Sequence, residues 1–408
     1  MKKIITGIVV ILLMALAFTA CQKDNTGPEN KITDTQLTPQ QVQLKKGMQQ
    51  AAIVIAQIAN NKDIQKEVQD LINRGMYKDD YIKFKDLFYP QSNPKLKSTS
   101  TTLFAQAFKK VVNSGNYEHL KSSDVSNLEK FLVDNNLVLY VPYPVSDYPA
   151  NMRTPTATYN PLDNDSVSTG YVISDFKSTN SVETVTVPKV DESYSEDHPV
   201  YIITPNLVKT DQDSENSGSG SSLGSTVTEV KVGEIYCKGY AGGLFSGGLD
   251  LRILRSKANP IDINNGKVTG SFVNAISFYL KRKYVRYAKH GWEKGWYTVN
   301  TAWNTNWKPE DTQLAMVVYA KKTHKEITIT ATSKVKIGSS EYGYTATEKY
   351  ETDYSRLIGV MEWDRNWFFA TNKIGDGNYF GGSEFRNGWP IRAISPQFWM
   401  TTPVRTFN

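Results

Sequence analysis

Near Asn135 the spacing of apolar residues changes, and that change constrains the fold more than any other feature of the chain. Before it, apolar side chains recur every three or four residues, the period of helices that bury one face. After it, they alternate or come in short β-branched runs, the pattern of strands with one or both faces covered. Neither period can substitute for the other. The chain therefore reads as α+β, with helices first and strands afterwards.

The helical part opens on Thr38-Pro39-Gln40-Gln41, which holds a capping threonine, a proline for the first helical position and a glutamine three after the cap. The run that follows places Val42, Leu44, Met48, Ala51, Ala52, Ile55 and Ile58 on one face. A second helix is predicted over Asp63–Arg74, carrying Ile64, Val68, Leu71 and Ile72 and stopping at Gly75. Tyr81, Phe84, Leu87 and Phe88 suggest a short third helix closed by Pro90. Ser100 is placed to cap a fourth, with Leu103, Phe104 and Phe108 inward, and Ser123 a fifth, with Leu128, Phe131 and Leu132. Residues 38–135 thus predict a helical domain.

Residues 136–209 predict a β-containing middle module packed on those helices. Its strands fall at Leu137–Val141, Gly170–Ile173, Val182–Val187 and Pro199–Ile203, the last of these central and stopped by Pro205. Residues 210–226 are Ser, Gly and acids and read as a linker. Two motif fragments lie there. Gly220-Ser-Ser222-Leu-Gly224 has the spacing of a nucleophile elbow but neither the strand before it nor the helix after it. Asp211-x-Asp213-x-Glu215 starts like a calcium loop but lacks the glycine and the final glutamate that complete one.

Residues 227–408 predict an antiparallel β-sandwich, from eight strand-like runs, Val268–Arg286 among them, separated by Gly-Ser, Asn-Gly and Pro breaks. Cys237 falls in an alternating run and reads as a buried structural thiol. The glycines from 239 to 248 suggest a flexible loop, with no phosphate-binding sequence after it. In 326–350, Ile327, Ile329, Ala331, Val335 and Ile337 share one face of a long hairpin, and Thr328, Thr330, Thr332, Lys334 and Lys336 the other. All 8 tryptophans of the chain lie in this part. Trp296, Trp303 and Trp307 flank polar Asn/Thr segments, and Trp367 stands near acids, so these four are the candidate ligand-binding residues. Indoles grip a sugar by stacking on its C–H face while amides and acids take the hydroxyls. Glu362 and Asp364 share one face of a strand and are the weak catalytic candidates, because paired carboxylates serve glycoside hydrolysis.

The 4 histidines show no metal-ligand spacing, and no motif calls for a cofactor or metal. Lys and Arg number 47 against 41 Asp and Glu, too even a balance for a nucleic-acid partner.

The start of the chain adds a location. Met1-Lys2-Lys3 precedes an uncharged run from Ile4 to Phe18, followed by Thr19, Ala20 and Cys21. A basic end, a short apolar stretch and small residues before the cleavage point form an export signal. Ending in cysteine, it resembles the signals of Gram-negative bacterial lipoproteins. That resemblance covers residues 1–21 and implies a signal peptide over 1–20, lipid attachment at Cys21 and a tether over 21–37. Gln22 stands where an inner-membrane retention signal would place Asp, which implies an outer-membrane, lipid-anchored protein; Lys23-Asp24 resembles surface-display signals. The leading expectation is non-catalytic binding or scaffolding, with a glycan or protein ligand. The alternatives are a hydrolase of glycans or peptides at a domain junction and a membrane-acting protein using the 326–350 hairpin.

Overall fold

The computed structural model describes residues 37–96, 101–114, 127–164, 166–173, 184–206, 227–240, 242–262, 267–321, 324–353, 356–372 and 385–407. The signal, Cys21, the linker 210–226 with its two motif fragments, His119 and the Ser100 and Ser123 caps all lie outside the described residues. The chain divides into Met1–Thr38 and a compact unit, Pro39–Asn408, whose architecture follows. It is a mixed α+β fold with a β-rich C-terminal region.

The first layer is helical. α1 (Pro39–Ala59) buries Met48, Ala51, Ala52, Val54, Ile55 and Ala56, while Val42, expected inward, is 52% exposed in the first turn. α2 (Lys62–Asn73) starts at Asn61, whose side chain accepts from the backbone N–H groups of Asp63 and Ile64. Tyr81–Lys83 is not helical: it forms β1, paired with β2 (Leu137–Tyr140), and only Phe84–Phe88 winds into α3. Burial of Tyr81 and Ile82 in the sheet overrides the helical spacing of this stretch. α4 (Leu103–Ser114) is capped by Thr102, and the Glu67 carboxylate accepts from both Leu103 N and Phe104 N at 2.9 Å. α5 (Leu128–Asp134) completes this layer.

The helices lie on a mixed sheet ordered β1-β2-β6-β3-β4-β5, where β3 is Thr156–Tyr159, β4 Ser168–Ile173, β5 Thr184–Val190 and β6 Val200–Pro205. β6 is central, antiparallel to β2 and parallel to β3. Helix and sheet residues share one core, from Met48 and Phe104 to Leu139 and Ile203. The opposite face of the sheet buries Tyr81, Val138, Tyr140 and Ile202 against Leu244 and Phe245. The glycine-flanked loop expected to be flexible is therefore a plug: its two apolar residues are 0% and 1% exposed.

Two further sheets form the C-terminal sandwich. One is ordered β10-β7-β17-β16-β15, from β7 (Val227–Cys237), β10 (Tyr297–Asn304), β15 (Phe385–Arg386), β16 (Trp389–Ser395) and β17 (Phe398–Thr401), with β18 (Val404–Phe407) also on β7. The other is ordered β12-β13-β9-β8-β11-β14, from β8 (Leu249–Asp262), β9 (Lys267–Leu280), β11 (Gln313–Lys321), β12 (His324–Ile337), β13 (Ser340–Asp353) and β14 (Arg356–Asp364). Between them lie Val232, Ile235, Cys237, Leu251, Ile253, Met316, Val318, Phe398 and Met400.

β11 is buried on both faces. Leu314, Met316 and Val318 enter the sandwich core, and Ala315, Val317 and Tyr319 meet Ile329, Ala331 and Ala346 of the β12–β13 hairpin. The sheet curls so that β12 also pairs with β11, at Gln313↔Lys334, and β13 reaches β9 at Ala346↔Gly270. Gly270 permits that closure, since a Cβ there would sit 2.5 Å from the Tyr344 ring and 2.9 Å from Ala346 N.

The run expected as a strand to Arg286 breaks at Leu280. Arg282–Lys289 is a helix, α7, docked against α6 (Glu192–Asp197) and the β2–β3 connection. Arg282 pairs with Glu192, Arg286, Lys289 and His290 with Glu196, and Lys294 with Asp147, while Lys281 and Lys283 reach Asp80. One basic helix thus rivets the sandwich to an acidic socket on the first sheet.

Candidate binding face

Alternation divides the residues of the β7–β17 pair between two faces. Ile235, Cys237, Phe398 and Met400 are core. Tyr236 and Trp399, opposite one another in register, therefore lie on the other face, where Tyr236 is covered, 5% exposed, and Trp399 is half-buried. Trp296 precedes Tyr297, which pairs with Ile235, so its indole falls beside Tyr236 on the other side. The three rings form a row from β17 across β7 to the residue that precedes β10. Trp296–Tyr236 centroids are 4.9 Å apart, tilted by 40°, and Tyr236–Trp399 5.6 Å apart, stacked at 12°. Both indoles are half-buried.

A cation sits at each end of the row. The Arg386 guanidinium lies 4.8 Å from the Trp296 ring centre, and Lys238 Nζ 4.0 Å from that of Trp399. The two cations differ in their surroundings. Arg386 donates to Glu234 at 2.8 Å and 3.1 Å and pairs with Glu293. Burial works against its charge, but those acids hold its pKa above the ordinary arginine value. The Lys238 ammonium rests on rings, those of Trp399 and Tyr236. Burial, helped by Glu293, pushes the Tyr236 phenol upward, so it stays a neutral hydroxyl at neutral pH.

The loop that delivers Trp296 is held by α7. Trp292 stacks on His290 at 5.0 Å, and Lys294 lies 4.7 Å from the same indole. Gly295 makes the close approach possible: a Cβ there would lie 2.5 Å from Ala288 N and 2.9 Å from the Tyr236 ring.

Three of the four candidate tryptophans are elsewhere. Trp303 and Trp307 are 1% and 0% exposed, so neither can offer an indole face to a ligand. They pack with Trp363 and Phe368 at 5.0–5.6 Å, and their indole N–H groups donate to Leu254 O and Asp311 O. The polar Asn/Thr residues around them mark the strand end and turn that bury them. Trp367 is 38% exposed on α8 (Arg365–Ala370), beside Arg392. Trp296 belongs to the row. Tyr236 and Trp399, its other members, were detectable only as aromatics alternating with core residues in Ile235-Tyr-Cys and Phe398-Trp-Met.

The candidate carboxylates are structurally engaged. Glu362 accepts from Thr332 N at 2.7 Å and Thr332 Oγ1 at 2.6 Å, bridging β14 to β12. Asp364 caps α8 by accepting from Trp367 N at 2.8 Å. Among the described residues no group of three His, Cys, Asp or Glu could hold a metal ion. Cys237 is free and buried. A cleft of ≈ 250 Å³ opens on its side of β7, lined by Tyr240, Leu357, Ile358, Pro396 and Gln397. Among the described residues no helix is long and apolar enough to cross a membrane. Comparison with protein-family models, curated proteins and solved structures finds no match.

Proposed function

We propose that the protein is a lipid-anchored binding protein of the outer membrane. It is held through Cys21 and works without catalysis through the outer face of the β10-β7-β17 sheet. The observation that carries this reading is the Trp296–Tyr236–Trp399 row, two half-buried indoles packed on either side of the covered Tyr236 ring, with a cation at each end. Tryptophan, tyrosine and arginine are the residues that dominate binding energy at interfaces, and ring systems among polar groups are how proteins hold sugars. Catalysis is not part of the proposal because Glu362 and Asp364 already serve the sheet and a helix cap.

A glycan array together with a pull-down of envelope components tests the reading. Wild-type protein should retain a ligand that Trp296→Ala and Trp399→Ala lose at least tenfold. A ligand bound equally well by both variants would place the working surface elsewhere.

A further inference from the structure

We infer that the row takes an acidic saccharide, a sugar ring bearing a carboxylate or sulfate, with Lys238 as the partner of the anion. This rests on the reading of the row as a binding face. The argument starts from charge. Around the row, Arg386 is neutralised by Glu234 and Glu293, Lys294 by Asp147, and Arg286 and Lys289 by Glu196. Lys238 is different: among the described residues no carboxylate pairs with it, and its ammonium rests on the Trp399 ring at 4.0 Å. A cation–ring contact at an exposed site is weaker than a charge-assisted hydrogen bond to an anion. An arriving carboxylate or sulfate therefore draws the ammonium off the ring. That movement uncovers an indole face, against which the C–H face of the same sugar can stack. A neutral sugar gives the lysine no reason to move and meets a covered ring.

The shape of the row favours a saccharide over a protein segment. Binding energy between proteins concentrates in packed pockets. These rings form a row instead, and the cleft beside Cys237 is lined by none of them.

The test uses the full-length lipidated chain in detergent, with immobilised polygalacturonate and chondroitin sulfate. Each is compared with a neutral counterpart, the methyl ester and the desulfated, carboxyl-reduced polymer. Polyglutamate serves as an acid without sugar rings. At least one acidic saccharide should be retained tenfold or more above its neutral counterpart, and polyglutamate should not be retained. Lys238→Met should reduce the acidic binding at least tenfold with an unchanged melting temperature, and Trp399→Ala should lose it altogether. Equal retention of acidic and neutral forms, both lost in Trp399→Ala, would overturn the inference and leave the binding face standing. Retention of polyglutamate as strong as that of the saccharides would also overturn it, pointing to an acidic protein. If no saccharide is retained by the intact protein, the inference falls. If, in addition, the envelope pull-down is indifferent to Trp399→Ala, the binding face falls with it.

Discussion

Arg282 and Glu192 are separated by 90 residues in sequence and form an ion pair, its arginine buried and its glutamate partly exposed, across the joint between sandwich and first sheet. The arginine side chain is 1% exposed, and it also donates to Gly247 O at 2.9 Å. Glu192 in turn accepts from Tyr143 at 2.5 Å, and Tyr143 meets Tyr240 at 2.9 Å. Removing one partner of a fully buried pair costs about 3–5 kcal/mol, and since Arg282→Met leaves a partly exposed Glu192, its cost falls toward the low end, about 2–3 kcal/mol. Arg282→Met should lower stability by about that amount in urea denaturation. Arg282→Met with Glu192→Leu should recover most of the loss, because the second substitution removes the orphaned charge. A single variant within ~1 kcal/mol of wild type would show that the rivet is not a stability element.

The same joint gives the protein a pH signature. Burial tends to raise the Glu196 carboxyl, but hydrogen bonds from Lys289 and His290 at 2.9 Å, with Arg286 nearby, hold its pKa below the ordinary glutamate value. A carboxyl lowered by folding stabilises the native state above its unfolded pKa, about 4.3, and loses that contribution as pH falls through the folded value. Glu196→Gln should therefore be less stable than wild type near neutrality, with the difference closing below about pH 4. Asp79 has the opposite sign. Burial raises its pKa despite hydrogen bonds from Tyr279 at 2.5 Å and Gly248 N at 3.1 Å. Its contribution is complete below the unfolded value and declines as pH rises through the folded one. Asp79→Asn should remove the part of the decline in stability that begins as pH rises past about 4.

The two groups of tryptophans separate by stability. Trp303 is packed on all sides, and truncating a buried indole costs about 3–5 kcal/mol. Trp303→Ala should approach that figure. Trp399→Ala removes a half-buried ring with one stacking neighbour and should cost about 1 kcal/mol while abolishing binding. Denaturation curves of the two variants with a binding assay on Trp399→Ala check this. Similar losses of stability in both would mean that the row is structural.

Most elements were legible because they have one face to bury. The alternation of Ile329, Ala331 and Val335 with Thr330, Thr332 and Lys334 is the burial pattern of β12. What was not legible depends on partners far along the chain. Tyr81 and Phe84 have helical spacing, but only β2, more than fifty residues later, makes Tyr81 a strand residue. Arg282 and Arg286 extend an apparent strand until the acids at 192 and 196 reveal a docked helix. The row is hidden for the same reason. Its rings come from residues 236, 296 and 399, and only cross-strand register brings them together.

Location is tested at the N-terminus. Lipidation of Cys21 requires its thiol, and acyl chains supply about 0.8 kcal/mol per buried CH₂. Cys21→Ala should leave the melting temperature of the folded unit unchanged while moving the protein out of the outer-membrane fraction. A variant that still fractionates with that membrane would remove the anchor from the proposal.

The 326–350 hairpin has the alternation of a membrane-inserting strand pair, but its apolar face is already in use. Ile329, Ala331 and Ala346 pack on Leu254, Phe272 and Val317, and Ser333 Oγ meets Ser256 Oγ at 2.7 Å within the curled sheet. Insertion would strip β11 of the cover over one face, exposing Ala315, Val317 and Tyr319 to water. A hairpin that serves the core in this way should tolerate no charge on its inner face. Ala331→Asp, which buries an unpaired carboxylate, should cost roughly 3 kcal/mol or more. Thr330→Asp, on the wet face one residue earlier, should stay within ~0.5 kcal/mol. Purified protein should release no dye from liposomes above baseline. Dye release by wild type that Ala331→Asp abolishes at a temperature where the variant is still folded would return the hairpin to a membrane role.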